Sequence, residues 1–170
     1  MAKQGRSTVY NRITSDEKIN KCNEDNIQLE NDFLEFLSST DKSHGTIKQY
    51  EANLHIFWCW CLDYNKDKFF CEITKREAVK FQNHALNVWK WSPKRVRTFK
   101  ATLRSLENYI IKILDDEFPN YKRIWSEIES PADETVREKT IMTKEELQSL
   151  LDTLVGKKQY QKACLVALAM

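Results

Sequence analysis

Two opposed stripes of side chains run along residues 92–114, whose sequence is SPKRVRTFKATLRSLENYIIKIL. The apolar residues recur at steps of three and four, as on one face of an α-helix, at Val96, Phe99, Leu103, Leu106, Ile110 and Ile113. The basic residues recur on roughly the opposite side, at Lys94, Arg97, Lys100 and Arg104. Ser92 suits the N-cap and Pro93 the first helical position, where a missing N–H costs nothing. The stretch therefore predicts an amphipathic helix with a cationic outer face.

The basic charge is concentrated in one part of the chain. Residues 46–112 contain 13 Lys and Arg but 6 Asp and Glu, whereas the other residues contain 14 Lys and Arg and 19 Asp and Glu. The net charge of +2 for the whole chain therefore conceals a separation of positive from negative charge. Solvated helix faces usually mix both signs, because like charges three or four positions apart repel. The separation favours a polyanionic partner, and a nucleic acid is the expected one. A membrane surface fits less well, because the apolar stripe has core spacing and no lipidation signal is present.

Length and composition favour a helical protein. The 170 residues suffice for one ordinary domain, or for a compact domain with part of a second, and the chain has only three Gly and three Pro. Residues 1–25 are polar, which predicts a disordered leader without the apolar core of a signal peptide. No apolar run approaches the roughly 20 residues of a membrane span. We therefore expect a cytoplasmic, all-α protein that does not enter a membrane.

The five cysteines and three histidines do not indicate a metal or catalytic site. An odd number of cysteines in a chain without a signal peptide predicts reduced thiols. Cys59 and Cys61 would lie about 200° apart on a helix, which is poor geometry for chelating zinc, although Cys71 and His55 are near in sequence. No phosphate-binding loop, zinc-protease motif or local Ser-His-carboxylate pattern occurs. The sequence therefore predicts no metal, no cofactor and no small-molecule substrate.

Three further helices are predicted before the basic helix. The first covers about residues 25–37, and the second follows a cluster of capping residues at 43–46 and keeps helical spacing until Asn65. The third opens with a capping box at 74–77, in which Thr and Glu satisfy each other's backbone donors. A short fifth element is expected over 121–125. Residues 26–126 are thus predicted to form one domain of four to five helices.

The composition changes after this bundle. Residues 127–142 are charged and polar and lack a sustained helical stripe, which indicates a linker. A second capping box at 143–146 opens an amphipathic helix that ends near Gly156, and the apolar stretch 163–170 stops without a cap. Because one and a half helices cannot close a core, residues 143–170 are expected either to be the start of a truncated second domain or to dock on another chain.

Three motifs follow one another along the chain. The first is Ser43-x-x-Thr46-Ile47-x-x-Tyr50-x-x-x-Leu54-x-x-Phe57-x-x-Trp60, and the second is Arg97-x-x-x-x-x-Leu103-Arg104-x-Leu106-x-x-Tyr109. The third is Thr143-x-Glu145-Glu146-Leu147-x-x-Leu150-Leu151. Together they resemble the tyrosine recombinases, the phage-integrase family, over residues 26–170. The first two are similar to the first and last long helices of that family's core-binding domain, so the resemblance implies an orthogonal bundle of four to five helices over residues 26–126. The third is similar to the opening of its catalytic domain, with Met142 where leucine is usual.

The resemblance implies a role in DNA integration or excision. In this family a core-binding domain and a catalytic domain close around duplex DNA. A tyrosine attacks the scissile phosphate, while arginine, lysine and histidine or tryptophan side chains stabilise the developing charge. None of that catalytic set can be placed here, so the chain as given is expected to bind core-site DNA without cutting it. Full-length members work as tetramers on DNA, whereas this chain alone is expected to be a monomer.

Candidate DNA-binding residues lie mainly at the starts of two helices. The start of the basic helix offers free N–H groups to a phosphate, and the start of the second helix is the matching element implied by the resemblance. The set is Thr46, Lys48, Gln49, Lys90, Ser92, Lys94, Arg95, Arg97, Lys100 and Arg104. Gln pairs naturally with adenine and Arg with guanine, so Gln49, Arg95 and Arg97 are the candidates for reading base edges.

Two other classes of function remain open from the sequence. A non-catalytic helical DNA-binding regulator or accessory factor would share the basic helix without needing a catalytic domain. A helical protein-interaction module would instead use exposed apolar surface, with the positive charge incidental. Salt dependence separates DNA binding from the second class, because affinity that depends on phosphate contacts falls steeply with salt.

Overall fold

The computed structural model describes residues 9–132 and 142–168. The chain divides into two compact units between residues 133 and 134, inside the predicted linker. All regular structure in the described ranges is helical, which confirms the all-α class. None of the helices in these ranges is both long enough and apolar enough to cross a membrane.

The described part of the first unit contains six α-helices and a 3₁₀ turn. They are α1 (Val9–Ile13), α2 (Asp16–Ile19), α3 (Glu24–Ser39), α4 (His44–Tyr64), the 3₁₀ turn Phe70–Glu72, α5 (Lys75–Asn87) and α6 (Pro93–Ile113). The four predicted helices correspond to α3 to α6. The short element expected over 121–125 is absent as a helix, because this part of the chain runs as irregular backbone and turns.

The second unit is a pair of helices, α7 (Lys144–Gly156) and α8 (Tyr160–Leu168), that pack on each other. The predicted capping box opens α7, with Thr143 and Glu146 satisfying each other's backbone N–H groups. Ala163 is buried in the pair, whereas the side chains of Leu165 and Leu168 are largely exposed. Helix α8 begins at Tyr160, before the apolar stretch 163–170 that the sequence analysis identified.

Side-chain caps fix where the long helices of the first unit begin. Asn23, Ser43 and Ser92 each accept a hydrogen bond from a backbone N–H in the first turn of α3, α4 and α6. Thr74 and Glu77 form the predicted capping box of α5. Each cap satisfies donors that the helix itself leaves without partners.

The core is aromatic and is centred on α4. The ring of Phe57 is fully buried, and its centroid lies within 6.0 Å of five other aromatic rings, those of Trp58, Trp60, Phe70, Phe81 and Trp125. The apolar stripe of α6 is buried from Val96 to Ile110, as predicted, while its last member, Ile113, is half exposed. Such aromatic clusters contribute both large buried area and favourable ring geometry.

The chain before α3 differs from the disordered leader predicted for residues 1–25. Helices α1 and α2 both pack on α4. The Tyr10 hydroxyl hydrogen-bonds His55 Nδ1 at 2.9 Å, and Lys18 forms an ion pair with Asp63. Tertiary contacts therefore order residues 9–25, although helices of four and five residues are too short to form alone.

His55, the hydrogen-bond partner of Tyr10, belongs to a largely buried network of polar side chains. Glu30, on α3, accepts hydrogen bonds from Trp58 Nε1 at 2.6 Å and pairs with His55 Nε2 at 3.1 Å. Burial by itself lowers the pKa of His55, but the hydrogen bond and charge of Glu30 outweigh it, so the pKa is raised. The network joins α1, α3 and α4.

Residues 124–130, which we call the strap, cross α6 after the bundle. Ile124 and Trp125 are buried against the core. The carboxylate of Glu107 accepts hydrogen bonds from the N–H groups of Ile124, Trp125 and Ser126 and from the Ser126 hydroxyl. The prediction starts the linker at residue 127, which is too early, because Ile128 still packs on the core.

Replacing Glu107 by Gln is expected to lower the free energy of unfolding of the first unit by about 2–4 kcal/mol. The amide offers one acceptor oxygen, and its NH₂ group would face N–H donors that the carboxylate now satisfies. Urea denaturation followed by circular dichroism measures the change. Amide exchange should also accelerate at residues 124–126.

The matched control is Glu129→Gln, an exposed carboxylate on the same strap. Its unfolding free energy should stay within about 0.5 kcal/mol of the wild type. Equal stabilities for the two variants would show that the Glu107 contacts do not hold the strap.

Candidate nucleic-acid interface

The starts of α4 and α6 present the exposed backbone donors of this region. Ser43 Oγ accepts from Thr46 N at 3.2 Å, and Ser92 Oγ accepts from Arg95 N at 3.2 Å. Thr46 Oγ1 lies 2.9 Å from Ser43 Oγ, so the Thr46 hydroxyl is part of the cap. The first turn of α4 also has the N–H groups of His44 and Gly45, whereas that of α6 has only Lys94 N–H, because Pro93 has no donor. The helix dipole makes both helix starts favourable for an anion.

A buried asparagine holds these two helix starts together. Asn53 Oδ1 accepts from Gln49 Nε2 at 3.1 Å and from Arg95 Nη2 at 2.9 Å. Asn53 Nδ2 donates to Thr102 Oγ1 at 2.8 Å, and both Asn53 and Thr102 are buried. Because two donors share one oxygen, the predicted site residues Gln49 and Arg95 are neighbours across the helix–helix junction.

Arg95 packs over two adjacent aromatic rings. Its guanidinium carbon lies 5.1 Å from the Trp91 ring centroid and 5.7 Å from that of Phe99, both in cation–π range. Burial lowers the pKa of Arg95, although the guanidinium keeps its charge at any ordinary pH. One of its five N–H donors is given to Asn53, so the fork is oriented while other donors remain for a ligand.

Three exposed lysines are close in sequence to the residues of this junction. Lys48 lies on the first turns of α4, and Lys94 lies on the first turn of α6. Lys90 lies in the turn between α5 and α6 and has a left-handed backbone conformation, with φ of 55°. That conformation is disfavoured for a residue with a Cβ. It allows the chain to reverse while Trp91 N donates to Ala85 O at 2.9 Å.

Two of the predicted DNA-binding residues are instead used inside the protein. Lys100 is 4 % exposed, and its ammonium donates to Ile128 O and to Ser130 Oγ. Arg104 donates to Trp125 O at 3.0 Å and Ser126 O at 3.2 Å. The prediction of one continuous cationic face is therefore wrong at these positions, because the strap covers that side of α6. Arg97, the remaining predicted cation of α6, is half-buried.

The sequence reasoning missed the residues that assemble this region. Asn53 and Thr102 lie among apolar neighbours on the inner sides of α4 and α6, and Glu107 lies between Leu103 and Ile110. A polar residue inside an apolar stripe must find a buried partner. That signal was present in the sequence at all three positions, but it does not name the partner.

The cysteines and histidines form no comparable centre. Among residues 9–132 and 142–168, no group of three or more Cys, His, Asp or Glu side chains could hold a metal ion. All five cysteines are free thiols, and burial raises the pKa of Cys71 to about 12. The arrangement that the described residues do offer is a set of backbone, amide, guanidinium and ammonium donors suited to phosphates and base edges.

The pH dependence of stability should report the buried Lys100. Burial, aided by the neighbouring charge of Arg104, lowers its pKa to about 8, from 10.5 for an ordinary lysine. Between pH 8 and 10.5 the unfolded chain therefore binds more protons than the native protein, so this group makes the free energy of unfolding rise with pH. Below pH 8 both states are charged, and above pH 10.5 both are neutral.

We expect the stability of the wild type relative to Lys100→Met to increase by about 1–3 kcal/mol across that pH window. Parallel urea titrations of the two proteins measure the difference, in which the effects of other titrating groups cancel. Lys66→Met, at an exposed lysine, is the control and should give a flat difference. A flat difference for Lys100→Met would mean that the ammonium is not desolvated.

Comparison with known proteins assigns no family to this chain. No family model matches it, and neither a curated protein nor a solved structure is significantly similar to it. The tyrosine recombinase resemblance therefore stands on the three sequence motifs alone. The chemistry of the α4–α6 junction supplies an independent line of argument about function.

Proposed function

We propose that this chain is the DNA-binding N-terminal part of a site-specific tyrosine recombinase, which grips duplex DNA at the recombination core site. One observation carries the proposal: the shared hydrogen bonds of Asn53 bring Gln49 and Arg95 together between two helix N-termini. Lys48, Lys90 and Lys94 are exposed and lie within five residues of Gln49 or Arg95 along the chain. We call this group of residues, from 43–49 and 90–95, the basic junction.

The basic junction combines the two kinds of contact that a duplex requires. Lysines and free helix N–H groups suit phosphates, which supply most of the affinity and fix the position of the protein. The oriented fork of Arg95 and the amide of Gln49 suit base edges in the major groove. The three motifs add support for recombinase function, with α7 and α8 as the proposed start of the catalytic domain.

The direct test is duplex binding, measured by fluorescence anisotropy across a salt series. We expect micromolar or tighter binding at low salt that weakens steeply as salt increases. The double variant Lys48→Glu/Lys94→Glu should weaken binding at least about tenfold and reduce the salt slope by about two. Both lysines are exposed, so the fold should not change.

The control is Lys21→Glu/Lys122→Glu, which makes the same change of charge at exposed lysines outside the basic junction. It should reduce affinity much less than the junction variant. Equal losses would mean that only the total charge matters. Absence of binding by the wild type at low salt would contradict the proposal and leave a helical protein-interaction module as the better account.

Sequence preference should depend on Arg95. Selection of bound duplexes from a randomised pool is expected to give a consensus with the wild type, and Arg95→Lys should lose one guanine position, worth about 1–3 kcal/mol. Lysine keeps the charge but loses the planar fork and its stacking on Trp91 and Phe99. Gln49→Ala provides the matched comparison at an adenine position. An unchanged consensus in both variants would limit the junction to phosphate contacts.

A further inference from the structure

Two surface depressions meet at the end of α6 and form one groove. The first, of about 230 Å³, lies between α3 and the chain that follows α6. The second, of about 380 Å³, continues past the 3₁₀ turn to Tyr121. Both are lined by Phe69, Glu117 and Phe118, and the two rings are 5.8 Å apart between centroids. We call this feature the acidic groove.

The floor of the acidic groove is apolar. Leu29 is buried beneath it, while the partly buried side chains of Phe69, Leu114, Phe118 and Tyr121 present apolar surface to it. Burial raises the pKa of Tyr121, whose hydroxyl is enclosed without a hydrogen-bond partner among the described residues. The floor therefore favours apolar side chains of the size of Leu or Phe, which would gain free energy on leaving water.

The rim of the acidic groove carries four carboxylates: Asp25, Asp32, Glu72 and Glu117. Among the described residues that line it, none is Lys or Arg. Asp25 lies in the first turn of α3, where the helix dipole offsets its charge, so Asp32, Glu72 and Glu117 matter most. The C-terminal end of α6, next to Leu114, adds the negative end of a 21-residue helix.

We propose that the acidic groove binds a cationic amphipathic segment of a partner protein. Apolar side chains of that segment would fill the floor, and its Lys or Arg side chains would pair with the carboxylates of the rim. Charge complementarity identifies the occupant, because a nucleic acid or an anionic membrane would be repelled by this rim. The groove and the basic junction lie at opposite ends of α6, about 30 Å apart along a helix of this length. One molecule can therefore hold both partners at once.

The probe is a fluorescein-labelled peptide of roughly 14 residues, built of Leu and Lys with Leu at helical i, i+3, i+4 and i+7 positions. A second peptide replaces Leu by Ser, and a third replaces Lys by Glu. Titration with the full chain, followed by anisotropy, should give a Kd of about 10–100 μM for the Leu/Lys peptide. The other two peptides should bind at least about tenfold more weakly. Amide exchange should slow at residues 114–118 in the complex.

The double variant Asp32→Lys/Glu117→Lys should lower affinity for the Leu/Lys peptide at least about tenfold. Its control, Glu17→Lys/Glu129→Lys, makes the same change of charge at exposed positions outside the groove and should keep affinity within about twofold. Thermal unfolding confirms that both variants fold.

Three results would overturn the proposal: equal losses in the two variants, equal binding of the Ser/Lys peptide, or protection elsewhere than 114–118. DNA binding should persist in the groove variant. The proposal for the acidic groove and the proposal for the basic junction can therefore be contradicted independently of each other.

Discussion

The carboxylate of Glu107 satisfies four donors at once, and the chain that follows the helical bundle depends on it. Because Glu107 is fully buried in the folded protein, its carboxylate would be strongly destabilising there without these four donors. The strap has the reciprocal need, since its backbone lies outside any helix or sheet and must find other hydrogen-bond partners. Each element therefore stabilises the other.

One face of helix α6 supplies both hydrogen-bond acceptors and donors to the strap. Glu107 accepts from strap N–H groups, while Arg104 and Lys100 donate to strap carbonyls. These three residues follow one another at helical steps of four and three, so they share a face. The same helix uses its other flank for Arg95, which Asn53 and two rings hold in place. One helix thus anchors the strap at its middle and orients the basic junction at its start.

Much of the fold could be predicted because local signals agree with one another. Apolar spacing located α3 to α7, and the side-chain caps fixed their starts. The errors concern residues whose partners lie far along the chain. Lys100 lies only about 40° around the helix from Val96, at the edge of the apolar stripe, whereas Lys94 lies about 160° away. The predicted cationic face included both, because the partners that bury Lys100 lie 28 and 30 residues further along the chain, on the strap.

The site was predicted less completely than the fold, for a similar reason. Charge patterning identified the exposed lysines and Arg95, because surface charge needs no partner to be recognised. Asn53 is uncharged, so charge patterning could not select it, although its single side chain makes Gln49 and Arg95 neighbours. Helices α1 and α2 were missed because their order comes from contacts with α4 rather than from their own sequence.

The strap also determines where the first unit can be shortened. A chain cut after the last turn of α6 would lose the donors of the buried Glu107 carboxylate and the Trp125 ring that packs on Phe57. An expression boundary drawn at the end of the last long helix would therefore cut into the core, and the boundary of the first unit belongs after the strap.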